Sequence, residues 1–153
     1  MEDWMQLAAE EARQAAAEGE IPVGAVIVKD GHLLARAHNR RENEQDPTAH
    51  AEMLCLRAAA RQLGSWRLEG CSLYVTLEPC PMCAGAMVMS RLSHCEYVTA
   101  DTAYGCCGSV YDLPADPALQ GHTTWALHED NGEASSLLAE FFRGRRKSTG
   151  ETP

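Results

Sequence analysis

The chain has 153 residues, of which 45% are hydrophobic and 23% charged, so one globular domain is expected and intrinsic disorder is excluded. A formal net charge of −9 argues against a surface that binds nucleic acid all over, because such surfaces carry an excess of basic residues. The seven cysteines form no even disulfide framework, and no export signal or membrane-spanning apolar run is present, which predicts a cytoplasmic protein without membrane contact.

A helix and a hairpin are predicted at the start of the chain. Apolar residues recur at helical spacing over residues 2–18, with acidic residues at the start and Gly19 as the stop signal. A β-branched run over 23–29 follows, and the Asp-Gly pair at 30–31 turns the chain into a second strand over 32–38.

The middle of the chain predicts helices that alternate with strands. The polar residues 39–47 include a proline at the end and predict a loop, after which a helix is predicted from about 49 to 63. A strand over 71–77 leads into a helix over 81–90 that has proline at its first position. A further strand is predicted over 94–100.

The last third of the chain predicts a long loop, a short strand and a closing helix. The loop covers 101–122, the strand 123–129, and the amphipathic helix 133–146. A hairpin followed by alternating strands and helices predicts an α/β fold, a three-layer α/β/α sandwich with a mixed five-stranded sheet. Because no repeat or linker is visible, residues 1–153 are expected to form a single domain with a basic tail from about residue 143.

Two cysteines at the start of a predicted helix, Cys80 and Cys83, are candidate metal ligands. Backbone N–H groups at a helix start favour thiolate over thiol, and thiolates there either do redox work or bind a metal. A redox pair needs a thioredoxin-like setting, whereas here an upstream helix carries His50 and Glu52 near its start. Because both helices start where strands end, His50 and the two thiolates are expected to meet at one edge of the sheet.

The three expected ligands leave one position of a zinc ion open. Catalytic zinc takes three protein ligands and a water, whereas structural zinc takes four protein ligands. His-x-Glu followed by Pro-Cys-x-x-Cys is the zinc deaminase signature, in which the glutamate is a general acid–base and not a ligand. A structural site would need a fourth ligand from cysteines that do not stand at finger spacing, namely Cys55, Cys71, Cys95, Cys106 and Cys107. We therefore favour a catalytic site.

Several segments together resemble the bacterial tRNA-specific adenosine deaminases. The resemblance covers about residues 21–146 and is carried by the segments IPVGAVIV, HNRR, DPTAHAE, LYVTLEPCPMCAGAM, GCCGSVYDL and EFFRGRR. It implies a cytidine deaminase-like fold, a homodimer, and hydrolytic conversion of the wobble adenosine of a tRNA anticodon to inosine. It also implies one zinc ion per subunit, held by His50, Cys80 and Cys83, with Glu52 as the proton carrier.

The resemblance also implies substrate contacts. Asn39 matches an asparagine that contacts the base, and the backbone of Ala51 matches a position that lines the pocket. Basic residues near the C-terminus match a helix that grips the anticodon stem-loop, and these are Arg143, Arg145, Arg146 and Lys147. The same cluster also suits a solvated helix C-terminus, where basic side chains complement the helix dipole.

Some residues depart from the family pattern and leave the substrate open. Gly121-His122 stands where many members have Asn-His, and the loop that follows the fourth strand contains Tyr104 and the small pair Cys106-Cys107. These departures and the acidic composition support, as an alternative, a deaminase of the same fold that acts on a free base, nucleoside or specialised metabolite, such as a guanine or cytosine-type substrate. A third hypothesis is a non-catalytic binding module that zinc stabilises.

Overall fold

The computed structural model describes residues 3–149, with side chains up to residue 144, and this part of the chain contains five α-helices and one five-stranded sheet. The helices are α1 (Trp4–Ala17), α2 (Arg41–Glu44), α3 (Ala51–Leu63), α4 (Pro81–Met89) and α5 (Glu133–Thr149). The strands are β1 (Gly24–Lys29), β2 (His32–His38), β3 (Cys71–Leu77), β4 (His94–Thr99) and β5 (Thr124–Leu127).

The sheet is mixed, with the strand order β2-β1-β3-β4-β5. β1 pairs antiparallel with β2 and β3, whereas β3, β4 and β5 run parallel to one another. The hairpin between β1 and β2 turns at Asp30 and Gly31, whose φ angles of 51° and 75° are those of a two-residue type I′ turn. The predicted α/β fold with a mixed five-stranded sheet is therefore confirmed.

Helices cover both faces of the sheet. Helices α3 and α4 contribute Cys55 and Met87 to the larger apolar cluster, which packs on one face. On the other face, Ala8 of α1 and Ala134 of α5 pack against Val98 of β4, whereas Leu138 of α5 joins the larger cluster. The predicted site residues at the starts of α3 and α4 thus belong to helices that share one apolar cluster.

Helix α1 lies very close to β1 at Gly24. A Cβ atom at this position would overlap the carbonyl oxygen of Ala8, so the backbone of α1 passes directly over the strand. This close approach lets the buried Glu11 reach β2, where its carboxylate bonds to Arg36 Nε at 2.7 Å and His38 Nδ1 at 2.8 Å. Helix α1 therefore fixes the end of β2, which leads into the candidate site.

The segment 39–47, predicted as a loop, contains the one-turn helix α2. The backbone N–H groups of Glu42 and Asn43 donate to the buried carboxylate of Glu20, at 3.2 and 2.7 Å. The carboxylate that stabilises this turn lies 22 and 23 residues from its two donors along the chain. Because this carboxylate is so distant in the sequence, the local pattern of residues 39–47 predicts a loop and does not reveal the helix.

The remaining predicted elements differ from the structure mainly at their ends. Strands β2 and β3 have the predicted bounds, whereas α3 starts two residues late, because His50 keeps an extended backbone (φ −73°, ψ 151°). Helix α5 continues to Thr149 instead of residue 146. The 101–122 loop includes a 3-10 turn over Pro117–Leu119. Among the helices of residues 3–149, none combines the length and apolar character needed to cross a bilayer.

Candidate metal centre

The start of α3 and the start of α4 meet on one side of the sheet and bring three candidate ligands together. His50 and Cys80 are the N-cap residues of α3 and α4, and Cys83 is the third residue of α4. Neither cap side chain bonds to the backbone of its own helix, so both stay free to bind a metal. Pro81 occupies the first turn of α4, where its missing N–H has no helical partner to lose.

The distances between the ligand atoms fit a tetrahedral zinc ion. Nδ1 of His50 lies 3.6 Å from Sγ of Cys80 and 3.5 Å from Sγ of Cys83, and the three ligand atoms lie within 4.8 Å of one another. Zn–N bonds of about 2.05 Å and Zn–S bonds of about 2.3 Å at a tetrahedral angle place N and S about 3.6 Å apart. One imidazole and two thiolates are also ligands that zinc prefers.

The thiols are polarised toward metal binding. A hydrogen bond with Cys83, followed by one with His50, lowers the pKa of Cys80 to about 4. The hydrogen bond to the Cys80 thiolate, followed by burial, raises the pKa of Cys83, because both favour its protonated form. The hydrogen bond to Cys80 also raises the pKa of His50. A divalent cation between these groups would replace the shared proton and favour both thiolates.

Glu52 stands beside the ligands without belonging to them. It is the second residue of α3 and its side chain is only 4% exposed, and its carboxylate is not a member of the ligand group among the described residues. Burial raises the pKa of Glu52 to about 7. A carboxyl group with a pKa near neutrality both accepts and releases a proton readily at physiological pH, as a general acid–base requires.

Asn39 joins the end of β2 to the start of α3. Its Oδ1 accepts a hydrogen bond from the backbone N–H of Ala51 at 2.8 Å, and its Nδ2 donates to the carbonyl of Ile21 at 3.2 Å. Asn39 therefore caps α3 in place of His50, whose side chain does not do so. The amide keeps a second N–H and a second lone pair, so its expected contact with a base stays a prediction, as does that of Ala51.

The predicted RNA-binding residues lie on α5. The side chain of Arg143 is exposed to solvent. The backbone of Arg145, Arg146 and Lys147 continues the same helix, but their side chains lie outside the described part of the structure. Their contact with RNA stays a prediction.

Sequence reasoning missed Glu78, which lies two residues before Cys80. Its side chain is 2% exposed, and its carboxylate accepts hydrogen bonds from the loop after β4. A charged residue at the end of an apolar strand, next to a predicted ligand, is the signal that could have found it. Cys106 and Cys107 are buried in the same loop, as expected of small residues that the loop needs.

Comparisons with known proteins agree with this geometry. Residues 1–99 match the family described as the cytidine and deoxycytidylate deaminase zinc-binding region, so the fold and the metal centre define a deaminase with zinc as its cofactor. The tRNA-specific adenosine deaminase of Aquifex aeolicus (strain VF5) is 44% identical over 147 residues, which cover 96% of this chain and 97% of that protein. The chain belongs to the family of tRNA-specific adenosine deaminases.

Solved structures place the fold in the same group. A structure from a study of A-to-I editing by tRNA:A34 deaminases superposes with a TM-score of 0.79 at 40% identity, covering 82% of this chain and 96% of that chain. The guanine deaminase from Nitrosomonas europaea superposes with a TM-score of 0.75 at 25% identity, covering 90% of this chain and 82% of that chain. The fold is thus similar to that of deaminases with RNA and with free-base substrates.

Proposed function

We propose that this chain converts the wobble adenosine of a tRNA anticodon to inosine by hydrolysis, with release of ammonia. The observation that carries the proposal is the group His50, Cys80 and Cys83 beside the buried Glu52. It occurs in a chain that is 44% identical over nearly its full length to a tRNA-specific adenosine deaminase. The metal geometry supports deamination, and the relative supports RNA as the substrate.

The proposed roles follow from the positions of the residues. His50, Cys80 and Cys83 would hold one zinc ion per subunit, and bound zinc supplies a water that is deprotonated near neutral pH. The carboxylate of Glu52 takes the proton of the attacking water and delivers it to N1 of the adenine ring. The water oxygen bonds to C6. Glu52 then takes the proton of the new C6 hydroxyl and passes it to the exocyclic nitrogen. The C6–N6 bond breaks, the C6 oxygen becomes the carbonyl of inosine, and ammonia leaves.

An anticodon loop suits a site of this shape. Cys83 and Glu52 are buried, so an adenine that remains stacked in a helix cannot reach them. A single-stranded loop allows the nucleotide to be turned outward at little cost. Asn39 and the backbone of Ala51 are proposed to contact the inserted base. The basic residues of α5 are proposed to bind the phosphates of the stem, namely Arg143, Arg145, Arg146 and Lys147.

The proposal also concerns the domain organisation, the cellular location and the oligomeric state of the enzyme. We propose that residues 1–153 act as one deaminase domain in the cytoplasm, as a homodimer in which each active site is completed near the subunit interface. The family resemblance supports the dimer, and sedimentation analysis would test it. A monomer with full activity would contradict it.

An anticodon stem-loop with adenosine at the wobble position tests the activity. The zinc-loaded protein should produce inosine in this hairpin, detected by mass spectrometry after nuclease digestion. Glu52→Ala should keep the zinc and abolish turnover. No product from the fully loaded wild-type protein would refute the proposed substrate, and loss of zinc from Glu52→Ala would indicate a structural site.

A free base or nucleoside is the second candidate substrate. The net charge of −9 and the structural similarity to a guanine deaminase favour it. Replacing Arg145 and Arg146 together by alanine separates the two candidates. RNA turnover should collapse in this variant, whereas activity on a small substrate such as guanine or cytosine should survive.

A further inference from the structure

The carboxylate of Glu78 is surrounded by donors from one loop, residues 101–112. Its Oε1 accepts the backbone N–H of Asp101 at 3.1 Å and the hydroxyl of Ser109. Its Oε2 accepts the backbone N–H groups of Cys107 at 2.9 Å and Ser109 at 3.1 Å. Four hydrogen bonds to one buried carboxylate, each stronger than a bond between neutral groups, fix the loop at its first residue and at positions 107 and 109 on a single side chain.

The packing around this carboxylate is close. A Cβ atom at Gly105 would overlap the carboxyl carbon of Glu78 and would lie 2.5 Å from the carbonyl oxygen of Asp101. Position 105 therefore accepts only glycine while the loop stays where it is. The loop and the carboxylate form one packed unit.

Other bonds fix the 101–112 loop against the metal centre. The backbone N–H of Cys106 donates to the carbonyl of Pro79 at 2.9 Å, and Pro79 directly precedes the ligand Cys80. Tyr97 Oη donates to the carbonyl of Cys107 at 2.9 Å. The segment 78–80 thus contacts the loop through the side chain of Glu78 and the carbonyl of Pro79. Its third residue, Cys80, is a candidate metal ligand.

This fixed loop exposes two aromatic side chains. Tyr104 is 68% exposed and Tyr111 66% exposed. The backbone N–H of Tyr104 donates to Oδ1 of Asp101 at 3.1 Å, and that of Tyr111 donates to the carbonyl of Gly105 at 3.2 Å. The two residues therefore lie together on the loop, and a chain of bonds runs from Glu78 through Asp101 to Tyr104.

We infer that Glu78 is a positioning residue for substrate binding, because it holds Tyr104 and Tyr111 where they stack on the unpaired bases next to the target adenosine. The inference rests on the proposed function. When the target base leaves the stack, its neighbours expose their faces, and unpaired bases bind to aromatic side chains in this way. A loop that is ordered before binding loses little conformational entropy when the bases stack on it.

Tyrosine variants test the stacking surface. Tyr104→Ala should raise the KM for the anticodon hairpin about tenfold or more with zinc content unchanged, and Tyr104→Phe, which keeps the ring, should restore it. Trp66→Ala is the matched control: Trp66 is 59% exposed, and it follows α3, whose 13 residues span about 20 Å from the site. Its KM should equal that of the wild type.

Glu78→Gln tests the positioning role. In this variant an NH2 group replaces one of the two carboxylate oxygens and then faces other donors. In one orientation it faces the N–H groups of Cys107 and Ser109, and in the other it faces the N–H of Asp101 and the hydroxyl of Ser109. The second orientation costs less, because the hydroxyl can turn to accept a hydrogen bond from the NH2 group. Glu78→Gln should therefore release Asp101, raise the KM several-fold and retain zinc. If the two tyrosines mediate the effect, adding Glu78→Gln to a variant with both Tyr104→Ala and Tyr111→Ala should change the KM by less than twofold.

The outcomes separate the inference from the function on which it rests. A wild-type protein that deaminates the hairpin, together with a Tyr104→Ala variant of unchanged KM, overturns the inference alone. An effect of Glu78→Gln that persists in the variant without both tyrosine rings overturns the positioning role. The role is also overturned if Tyr104→Ala changes the oligomeric state but not the KM, because the surface then binds a second copy of the chain. If Glu78→Gln does not fold, Ser109→Ala removes a single bond and should give a smaller rise in KM. A wild-type protein that neither binds nor deaminates the hairpin overturns the function and the inference together.

Discussion

Gly24→Ala should destabilise the protein strongly because the backbone of α1 passes directly over this position. The new methyl group would overlap the carbonyl oxygen of Ala8 and would lie 2.5 Å from the backbone nitrogen of Ala12 and 2.7 Å from Cβ of Glu11. Ordinary contacts of such atoms are about 3.4 Å or longer. Two of the three opposing atoms belong to the helix backbone, so rotation of a side chain cannot relieve the overlap.

The expected loss follows from what α1 must give up when it moves. Overpacking a well-packed core costs about 1–3 kcal/mol of unfolding free energy, and a rigid opposing backbone favours the upper end. Displacement would also strain the bonds of Glu11 to Arg36 and His38, which join α1 to β2. We expect a loss of about 3 kcal/mol, which for a chain of this size corresponds to a fall in Tm of about 6–12 °C.

Thermal unfolding of the zinc-loaded protein measures the effect. Gly144→Ala is the control, because a Cβ atom there meets nothing within 4 Å and alanine is the better helix former by about 1 kcal/mol. Its Tm should stay equal or rise. If the Tm of Gly24→Ala lies within 2 °C of the wild-type Tm, the backbone of α1 does not lie as close to β1 as described.

Three further predictions concern the site. Asn39→Ala should lower the unfolding free energy by about 1–2 kcal/mol and speed zinc release, because the N–H of Ala51 loses its acceptor; unchanged urea unfolding and release rates would contradict the cap. When free zinc is held 1,000-fold above its Kd, its removal by a chelator should lower the free energy of unfolding by about 4 kcal/mol. The Tm should fall and should recover when zinc is added again. An identical Tm with and without the chelator would rule out coupling between zinc binding and folding. In the chelated protein, alkylation of Cys80 should hardly change between pH 5 and 8, because its pKa of about 4 keeps it a thiolate throughout. Burial raises the pKa of Cys95 and Cys107, so mass spectrometry should find these two cysteines unmodified. An alkylation rate of Cys80 that rises tenfold per pH unit would refute its lowered pKa.

Local signals made much of the fold predictable. The Asp-Gly pair at 30–31 sets the pairing of Lys29 with His32, and β2 begins where predicted because the turn residues define its start. A bulge between Ile27 and Val28 then shifts the register of the hairpin by one residue. The one-turn helix α2 was missed because the carboxylate that caps it, Glu20, comes from a distant part of the sequence. Signals that lie within a few residues can be recognised along a chain, whereas partners brought together by folding cannot.

The same distinction applies to the candidate site. His50, Cys80 and Cys83 could be predicted because few side chains bind zinc, and their spacing from helix starts is visible in the sequence. The capping of Ala51 by Asn39 and the bonds of Glu78 could not be predicted, because amide and carboxylate groups have many possible partners. Their partners depend on how β2, β3 and the 101–112 loop approach one another.

The hydrogen bonds of Glu78 also indicate how the substrate specificity of a protein with this fold can be changed. Three of its four donors are backbone N–H groups, and only the hydroxyl of Ser109 is a side chain. Backbone donors are present whichever residue occupies the position, proline excepted. Gly105, Gly108, Ser109 and Asp101 must stay, because a Cβ atom at Gly108 would lie 2.8 Å from the Trp125 ring and Asp101 accepts the N–H groups of Ala103 and Tyr104. The exposed positions 102–104, 110 and 111 can therefore exchange their outward side chains while the path of the loop beside the candidate metal site is preserved. Random mutagenesis confined to those outward positions is thus a practical route to variants that accept new substrates without loss of zinc.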